Sequence, residues 1–294
     1  MVFLNGKLVP DQEALLPASD RAILFGDAAY ETLRTYNRRV FRAQAHLDRL
    51  RLTLKGIGIE SLPWDDAALT QGIEDLIDAN NLTEARIRMT VTGGEHDGQI
   101  RLRRTNPPSI VITAVELHIP EASHYQHGVR VATSQYPIHN NSPLARLKTT
   151  ARLVNLMAKE EAIENDAFDA IFLDDQGLLL EGTASNFFFL VDGTLHTASL
   201  ETPILAGVTR DLVIQVAKEI GIPVLEGRFG LENLAGAEEA FITSTTTELM
   251  PVRELSPYRF KVPGKITGQL HRAYRNVVEK EIGSRPTPIP GAPA

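Results

Sequence analysis

The sequence contains no cysteine, which excludes disulfide bonds, cysteine nucleophiles and thiolate metal sites. It has no apolar run long enough to span a membrane, and its first residues lack the apolar core of a signal peptide. It also lacks an excess of positive charge, since the formal net charge is -7. We therefore expect a cytoplasmic protein without membrane or nucleic-acid partners.

Several widespread catalytic motifs are missing as well. There is no phosphate-binding loop, no zinc-protease histidine pair and no Gly-x-Ser-x-Gly turn. The eight histidines show no metal-ligand spacing, so no metal site is predicted. What is present is an ordinary globular composition, with 43% hydrophobic and 23% charged residues in 294, which suits one large or two mid-sized domains.

Hydrophobic periodicity and turn signals predict an α/β (α+β) protein with two domains. Residues 1–118 form the predicted small N-terminal domain, with helices at 43–57 and 66–80 and strands at 86–92 and 109–115. Residues 119–128 are predicted as an interdomain linker, 129–284 as the larger domain and 285–294 as a flexible tail. The larger domain is expected to contain helices at 149–165, 208–220 and 267–282.

Lys148 is the first candidate for chemistry. It precedes Thr149 and Thr150, which the pattern predicts to open a helix, and the dipole there disfavours a charged amine. A neutral amine is what Schiff-base chemistry requires. The alternative is a surface lysine, which is the more common situation.

Three further features could bind a ligand that carries a ring nitrogen and a phosphate, and each has a structural alternative. Glu181 ends an apolar strand and could pair with a pyridinium nitrogen, or lie at the surface. Two predicted helix starts, at Val208-Thr209 and at Thr245-Thr246 with Glu248 in a capping box, offer N–H groups to phosphate, or are simply caps. Arg49, on the 43–57 helix, suits a phosphate or a surface ion pair.

Together these segments resemble the fold-type IV pyridoxal-5′-phosphate (PLP) enzymes, the class IV aminotransferases. The resemblance runs from about residue 3 to 258 and rests on six ordered motifs. They are Phe25 to Arg34, His46 to Leu50, Leu147 to Thr149, Leu180 to Asn186, Leu205 to Asp211 and Thr243 to Val252. It implies a small N-terminal domain and a larger C-terminal domain with the cofactor between them, and homodimers whose active sites borrow loops from the partner.

The resemblance also implies a role for each motif. Lys148 forms the internal aldimine with PLP and moves the substrate proton, and Glu181 pairs with the pyridine nitrogen. Tyr30 lines the substrate pocket. The phosphate is held by Arg49, Val208, Thr209, Thr245 and Thr246.

The substrate is less sharply indicated. Arg88 resembles the arginine of the Tyr-Ile-Arg motif in branched-chain aminotransferases, although Arg86 replaces the tyrosine. Alternation puts Arg86 and Arg88 on one strand face, where they form one anion site or face solvent. Leu153 stands where branched-chain enzymes carry a tyrosine, whereas Tyr30-Glu31 looks more like the D-amino acid subgroup.

Four functions stay open on these residues. The first is transamination between an aliphatic amino acid, with branched-chain ones preferred, and a 2-oxo acid such as 2-oxoglutarate. The second is a D-amino acid aminotransferase or R-selective amine transaminase. The third is aminodeoxychorismate lyase, and the fourth is a PLP carrier without turnover.

Overall fold

The computed structural model describes residues 1–292 as two compact units. The first unit comprises Met1–His118 and Leu147–Ala151, and the second comprises Ile119–Arg146 and the chain from Arg152 onward. Each unit contains a sheet and helices, so the predicted α/β class is confirmed. The segment that carries Lys148 thus belongs to the first unit, although the residues on both sides of it belong to the second.

The first unit is an antiparallel sheet covered by helices. Its strands are β1 (Val2–Leu4), β2 (Lys7–Val9), β3 (Ala28–Tyr36), β4 (Arg39–Val40), β5 (Ala85–Thr92) and β6 (Ile110–Glu116). They pair in the order β2-β1-β6-β5-β3-β4. Its helices are α1 (Arg21–Phe25), α2 (Ala43–Gly56) and α3 (Asp66–Ala79).

Strand β5 has one buried face and one exposed face over most of its length. Ala85, Ile87 and Met89 are fully buried in the core of the unit, while Arg86 and Arg88 between them are exposed. A period of two is what a strand with one covered face requires. The leucines of α2 and α3 pack onto the same core.

The second unit contains a mixed sheet. Within the described part of the chain its strands are β7 (Val129–Thr133), β8 (Asp169–Leu173), β9 (Leu179–Gly182), β10 (Asn186–Val191), β11 (Thr194–Ala198), β12 (Val224–Gly227), β13 (Glu239–Ser244), β14 (Glu248–Leu255) and β15 (Tyr258–Arg259). The order is β12-β11-β10-β13-β14-β7-β8-β9, and β15 pairs with β14. Its helices are α4 (Ala122–His127), α5 (Leu153–Glu164), α6 (Val208–Glu219) and α7 (Lys265–Ile282).

The path of this sheet returns on itself at one point. Strand β9, at the end of the order, also pairs antiparallel with β10 through Glu181 and Asn186. The two strands are joined by the short turn from Thr183 to Ser185. This closure brings the candidate acid Glu181 beside Asn186 on a buried part of the second unit.

Two segments differ from their predicted character. The predicted linker, 119–128, contains α4, whose Tyr125 is buried in the core of the second unit with Val129. The predicted flexible tail, 285–294, is packed through residue 292: Ile289 is buried in the same core, and Arg275 donates to the carbonyl of Thr287. Residues 293 and 294 lie outside the described residues. One large apolar side chain in each segment supplies burial that the polar residues of the first and the prolines and glycine of the second concealed.

Candidate functional site

Lys148 lies in an extended segment, not at a helix N-terminus. Its carbonyl accepts the N–H of Tyr30 at 2.9 Å, and its own N–H donates to the Thr53 hydroxyl at 3.2 Å. Thr149 forms an isolated bridge with β3. The predicted helix from Thr149 is therefore wrong in its start, because these residues pair with the sheet and α5 begins only at Leu153. The helix dipole consequently gives no reason for a neutral amine here.

The ring of Tyr30 contacts two cationic side chains. Lys148 Nζ lies 4.9 Å from the ring centroid, and Arg88 Cζ lies 3.7 Å from it. The two cations therefore cannot be farther apart than the sum of these distances. Tyr30 thus places the candidate amine and a candidate carboxylate ligand around one ring.

Arg86 and Arg88 lie on the same face of β5, as alternation predicts, and both residues are exposed. Their neighbours on β3 differ. Arg88 is opposite Thr32, whereas Arg86 is opposite Arg34. The contact with Tyr30 is made by Arg88, so a shared anion site of the two arginines stays a prediction.

Arg49 is part of a buried cluster with Glu31 and His46. Arg49 Nε donates to Glu31 Oε1 and Arg49 Nη2 to Glu31 Oε2, each at 2.7 Å. His46 Nδ1 lies 2.8 Å from the same Oε2. Glu31 comes from β3, while His46 and Arg49 project from the covered face of α2.

The charges in this cluster follow from its contacts. Burial alone would raise the pKa of Glu31, but the hydrogen bonds and charge of Arg49, with those of His46, outweigh it and lower the pKa to about 2. Burial lowers the pKa of His46, as do the charges of Arg49 and Lys148, while Glu31 acts against them. At neutral pH, Glu31 is thus ionised and His46 is a neutral donor.

Glu181, in the second unit, is held by two donors. Its Oε2 accepts Asn186 Nδ2 at 2.9 Å and the N–H of Leu205 at 3.1 Å. Asn186 Nδ2 also donates to the carbonyl of Leu205 at 3.1 Å. Hydrogen bonds to a carboxylate favour its charged form, which is the form that pairs with a protonated ring nitrogen.

Helix α6 begins directly after the loop that contains Leu205. Its N-cap, Gly207, supplies no side chain to bond the first N–H groups of the helix, which belong to Val208 and Thr209. A Cβ on Gly207 would lie 1.9 Å from Asn186 Oδ1. The glycine therefore permits the close approach of Asn186 and presents N–H groups that suit an anion.

Thr245 and Thr246 do not begin a helix. Ser244 to Thr247 form a tight turn between β13 and β14, in which Ser244 Oγ accepts the N–H of Thr247 at 3.2 Å. The predicted capping box is wrong because Glu248 is a strand residue, opposite Ser244, and its carboxylate is buried 2.7 Å from His271 Nε2. A Thr-x-x-Glu spacing cannot by itself separate a helix cap from a hairpin turn.

Sequence reasoning missed Asn186, Glu31 and His46 as site residues. Each belongs to a motif that was noted for a neighbour, but only the fold brings Asn186 to Glu181 and His46 to Glu31. Across residues 1–292, no group of three or more histidine, aspartate or glutamate side chains is arranged to hold a metal ion. In that same range no helix has both the length and the apolar character to cross a membrane.

Comparison with known families assigns the chain. The family model described as "Amino-transferase class IV" matches residues 28–255. The chain belongs to the class IV aminotransferases. This aminotransferase is therefore a member of the family that its motifs resemble, and the family uses PLP.

Three curated relatives of this aminotransferase carry three different names. It is 32% identical to the "Putative branched-chain-amino-acid aminotransferase" of Methanocaldococcus jannaschii, over 95% of this chain and 96% of that one. It is 31% identical to a D-alanine aminotransferase of Bacillus licheniformis, over 95% and 98%. It is 30% identical to an aminodeoxychorismate lyase of Bacillus subtilis, over 96% and 94%.

Solved structures agree with the fold. The branched-chain aminotransferase of Thermoproteus uzoniensis, solved with norvaline, superposes with a TM-score of 0.88 at 29% identity, covering 98% of both chains. The T.th. branched-chain aminotransferase, complexed with N-(5′-phosphopyridoxyl)-L-glutamate, gives 0.86 at 26% identity, covering 97% of this chain and 95% of that one. The predicted fold-type IV architecture is thereby confirmed.

Each unit, taken by itself, supplies groups with the chemistry that PLP requires. Lys148 offers an amine beside an aromatic ring, and Glu181 offers a carboxylate fixed by two donors. The uncapped start of α6 offers N–H groups for a phosphate. These are the three chemical functions that the aldehyde, the ring nitrogen and the phosphate of the cofactor require.

Proposed function

We propose that this aminotransferase moves amino groups between aliphatic amino acids, branched-chain ones first among them, and a 2-oxo acid such as 2-oxoglutarate. The observation that carries the proposal is the contact of both Lys148 and Arg88 with the Tyr30 ring. A guanidinium at that position is suited to the substrate carboxylate. The names of the M. jannaschii relative and the T. uzoniensis structure support the aliphatic side chain.

In this proposal Lys148 binds the cofactor and is the general base. Bound PLP supplies an electron sink for the charge left when the substrate Cα proton departs. Lys148 Nζ would take that proton from Cα of the amino donor. It would give a proton back when the 2-oxo acid receives the amino group. Arg88 binds the carboxylate, with Arg86 as a second cation, and the Tyr30 ring limits where the substrate can lie.

The remaining site residues bind the cofactor without taking part in proton transfer. Glu181 keeps the ring nitrogen protonated, because Asn186 and Leu205 stabilise its ionised form. The N–H groups of Val208 and Thr209 and the hydroxyls of Thr245 and Thr246 bind the phosphate. Arg49, whose guanidinium is held by Glu31, is the cation that we assign to the same phosphate.

A D-amino acid aminotransferase is the second candidate. The pair Tyr30-Glu31 and the D-alanine aminotransferase relatives favour it. Arg88 would anchor the carboxylate there too, so the hand of the substrate is the distinguishing property. Chiral analysis of the product formed from racemic leucine or alanine separates the two candidates. Pyruvate release from aminodeoxychorismate without an amino acceptor would instead indicate the lyase.

The decisive experiment is a panel of L-amino acids, D-amino acids and R-amines given to the PLP-loaded protein. Conversion of the yellow cofactor to pyridoxamine 5′-phosphate reports the amino transfer. We expect the L-branched-chain donors to convert it fastest. If no donor changed the spectrum, the protein would be a carrier of PLP without turnover, and the proposal would be contradicted.

The role of Lys148 is tested by Lys148→Ala. The loss of the general base should slow amino transfer by at least about a hundredfold, and the borohydride-reducible chromophore should disappear. Phosphate-anchored cofactor should be partly retained. The control is Lys218→Ala, on an exposed position of α6. Undiminished turnover in Lys148→Ala contradicts the assignment.

We further propose that the enzyme is a homodimer with shared active sites. Helix α5 supports this, because only Ala158 and Ala162 are buried on it while its larger apolar residues face outward. Leu153 is 70% exposed and Leu156 is 66% exposed. Contiguous apolar surface of this kind marks a protein interface.

A further inference from the structure

Helix α2 carries a row of polar residues on its otherwise apolar covered face. His46, Arg49 and Thr53 are spaced three and four residues apart, so they lie along one side of the helix. All three are buried, with exposures of 2%, 9% and 1%. A buried polar row among leucines is costly unless each member has a partner, and the partners are Glu31 and the Lys148 segment.

The contact with Glu31 fixes the orientation of Arg49. The Nε and Nη2 donors of Arg49 both bond the carboxylate, which is a bidentate, in-plane arrangement. Glu31 is 1% exposed. A rotation of the guanidinium would leave a buried carboxylate without its cation, so the pair holds one orientation.

His46 fixes the carboxylate in turn. Its Nδ1 lies 2.8 Å from the oxygen that also receives Arg49 Nη2. Two turns further along α2 from His46, the Thr53 hydroxyl accepts the N–H of Lys148. The same helix face therefore sets the orientation of Arg49 and the backbone position of Lys148.

We propose that Glu31 and His46 are positioning residues that hold the guanidinium of Arg49 toward the cofactor phosphate. This inference rests on the proposed phosphate role of Arg49. Because Glu31 offsets the charge of Arg49, the arginine acts through directed N–H groups more than through net charge. Glu31 and His46 themselves touch neither phosphate nor substrate in this arrangement.

The test measures release of pyridoxamine 5′-phosphate from the loaded protein after dilution, by fluorescence of the filtrate. This form has no covalent bond to Lys148, so its retention depends on non-covalent contacts alone. We expect Glu31→Gln to release it about tenfold faster than the unaltered protein. In an Arg49→Ala background the same change should add less than about twofold, since coupled residues are not additive.

The conservative variant at His46 gives a second, milder test should Glu31→Gln fail to fold. His46→Ala should speed release about threefold, and His46→Asn, which keeps a side-chain donor, should restore retention. The matched control is Glu84→Gln. Glu84 Oε2 lies 3.7 Å from Arg34 Nη2, which is not part of the cluster of Glu31, His46 and Arg49, so this change should leave release unchanged.

The outcomes separate the positioning role from the phosphate role. Equal acceleration by Glu31→Gln with and without Arg49 would overturn the positioning role while leaving Arg49 as a phosphate ligand. Failure of Arg49→Ala to speed release would instead remove the proposed phosphate role, and the positioning role with it. An effect of Glu31→Gln that depends on the presence of Arg49 supports both.

Discussion

At the scale of single residues, Asn186 connects two parts of the candidate site that are far apart in sequence. One amide group bonds both Glu181 and the Leu205 loop, and the other end of that amide lies where a side chain on Gly207 would have to be. Gly207 has φ -71 and ψ 131, which any residue can adopt. The requirement for glycine is therefore one of space alone.

Gly207→Ala should consequently disturb the site through contact and not through backbone strain. The new Cβ would displace Asn186, and we expect a loss of about 1–3 kcal/mol in unfolding free energy. The control is Gly236→Ala, whose Cβ would meet Val191 Cγ1 at an ordinary 3.6 Å. Urea unfolding of the PLP-loaded proteins compares the two. Equal midpoints would show that Asn186 relaxes freely.

His46 makes the stability of the protein depend on pH in one direction. Burial lowers the pKa of His46 in the folded state from its ordinary value of 6.5. At a pH below 6.5 the unfolded chain therefore binds a proton at His46 more tightly than the folded protein does. Stability then falls as pH falls. Glu31, whose pKa is about 2, acts in the same direction but at more acid pH, below its ordinary 4.5.

Between pH 7 and pH 5 the loss should therefore come mainly from His46. We expect the unaltered protein to lose up to about 2 kcal/mol more than His46→Asn over this interval. Urea unfolding at both pH values measures the difference. His127→Asn, at an exposed position, should behave as the unaltered protein does. A parallel loss in His46→Asn would show that folding does not lower the pKa of this imidazole.

At the scale of elements, hydrophobic periodicity alone was enough to predict a helix or strand where one of its faces is covered. It predicted α2, α6 and the alternation of β5, because burial dictates those patterns. It failed where long-range pairing decides. Thr149 pairs with β3 and does not begin a helix. Glu248 is part of β14 and does not belong to a helix cap. The motif residues could be found from sequence, but the partners Glu31, His46 and Asn186 depend on the fold.

The C-terminal segment shows the same limit, and it can be tested. Proline and glycine obscured the fact that Ile289, 4% exposed, packs into the core of the second unit. Ile289→Ala should cost about 2–5 kcal/mol in unfolding free energy, because it removes buried methyl groups and leaves a cavity. Ile100→Ala, at a side chain that is 92% exposed, is the control. Similar urea midpoints for both would mean that the tail does not pack in solution.

At the scale of the whole molecule, α5 presents an inverted pattern. Small alanines face its own unit, and the large apolar side chains face outward, with Leu153, Leu156 and Met157 exposed at 70%, 66% and 43%. Scattered exposed leucines are ordinary, but a contiguous group on one helix favours a partner surface. A second copy of the chain satisfies this requirement without any further protein.

Leu156→Glu should therefore convert the proposed dimer to a monomer. A charge at the centre of an apolar interface is left without water or a counter-ion, whereas on an exposed helix face it does not disturb the fold. Light scattering after size exclusion should give twice the chain mass for the unaltered protein and one chain mass for the variant. Leu52→Glu, at a 69% exposed leucine of α2, is the control and should remain dimeric. Because the proposed shared active sites require the dimer, the monomeric variant should also lose amino transfer. A dimeric Leu156→Glu would place the interface elsewhere.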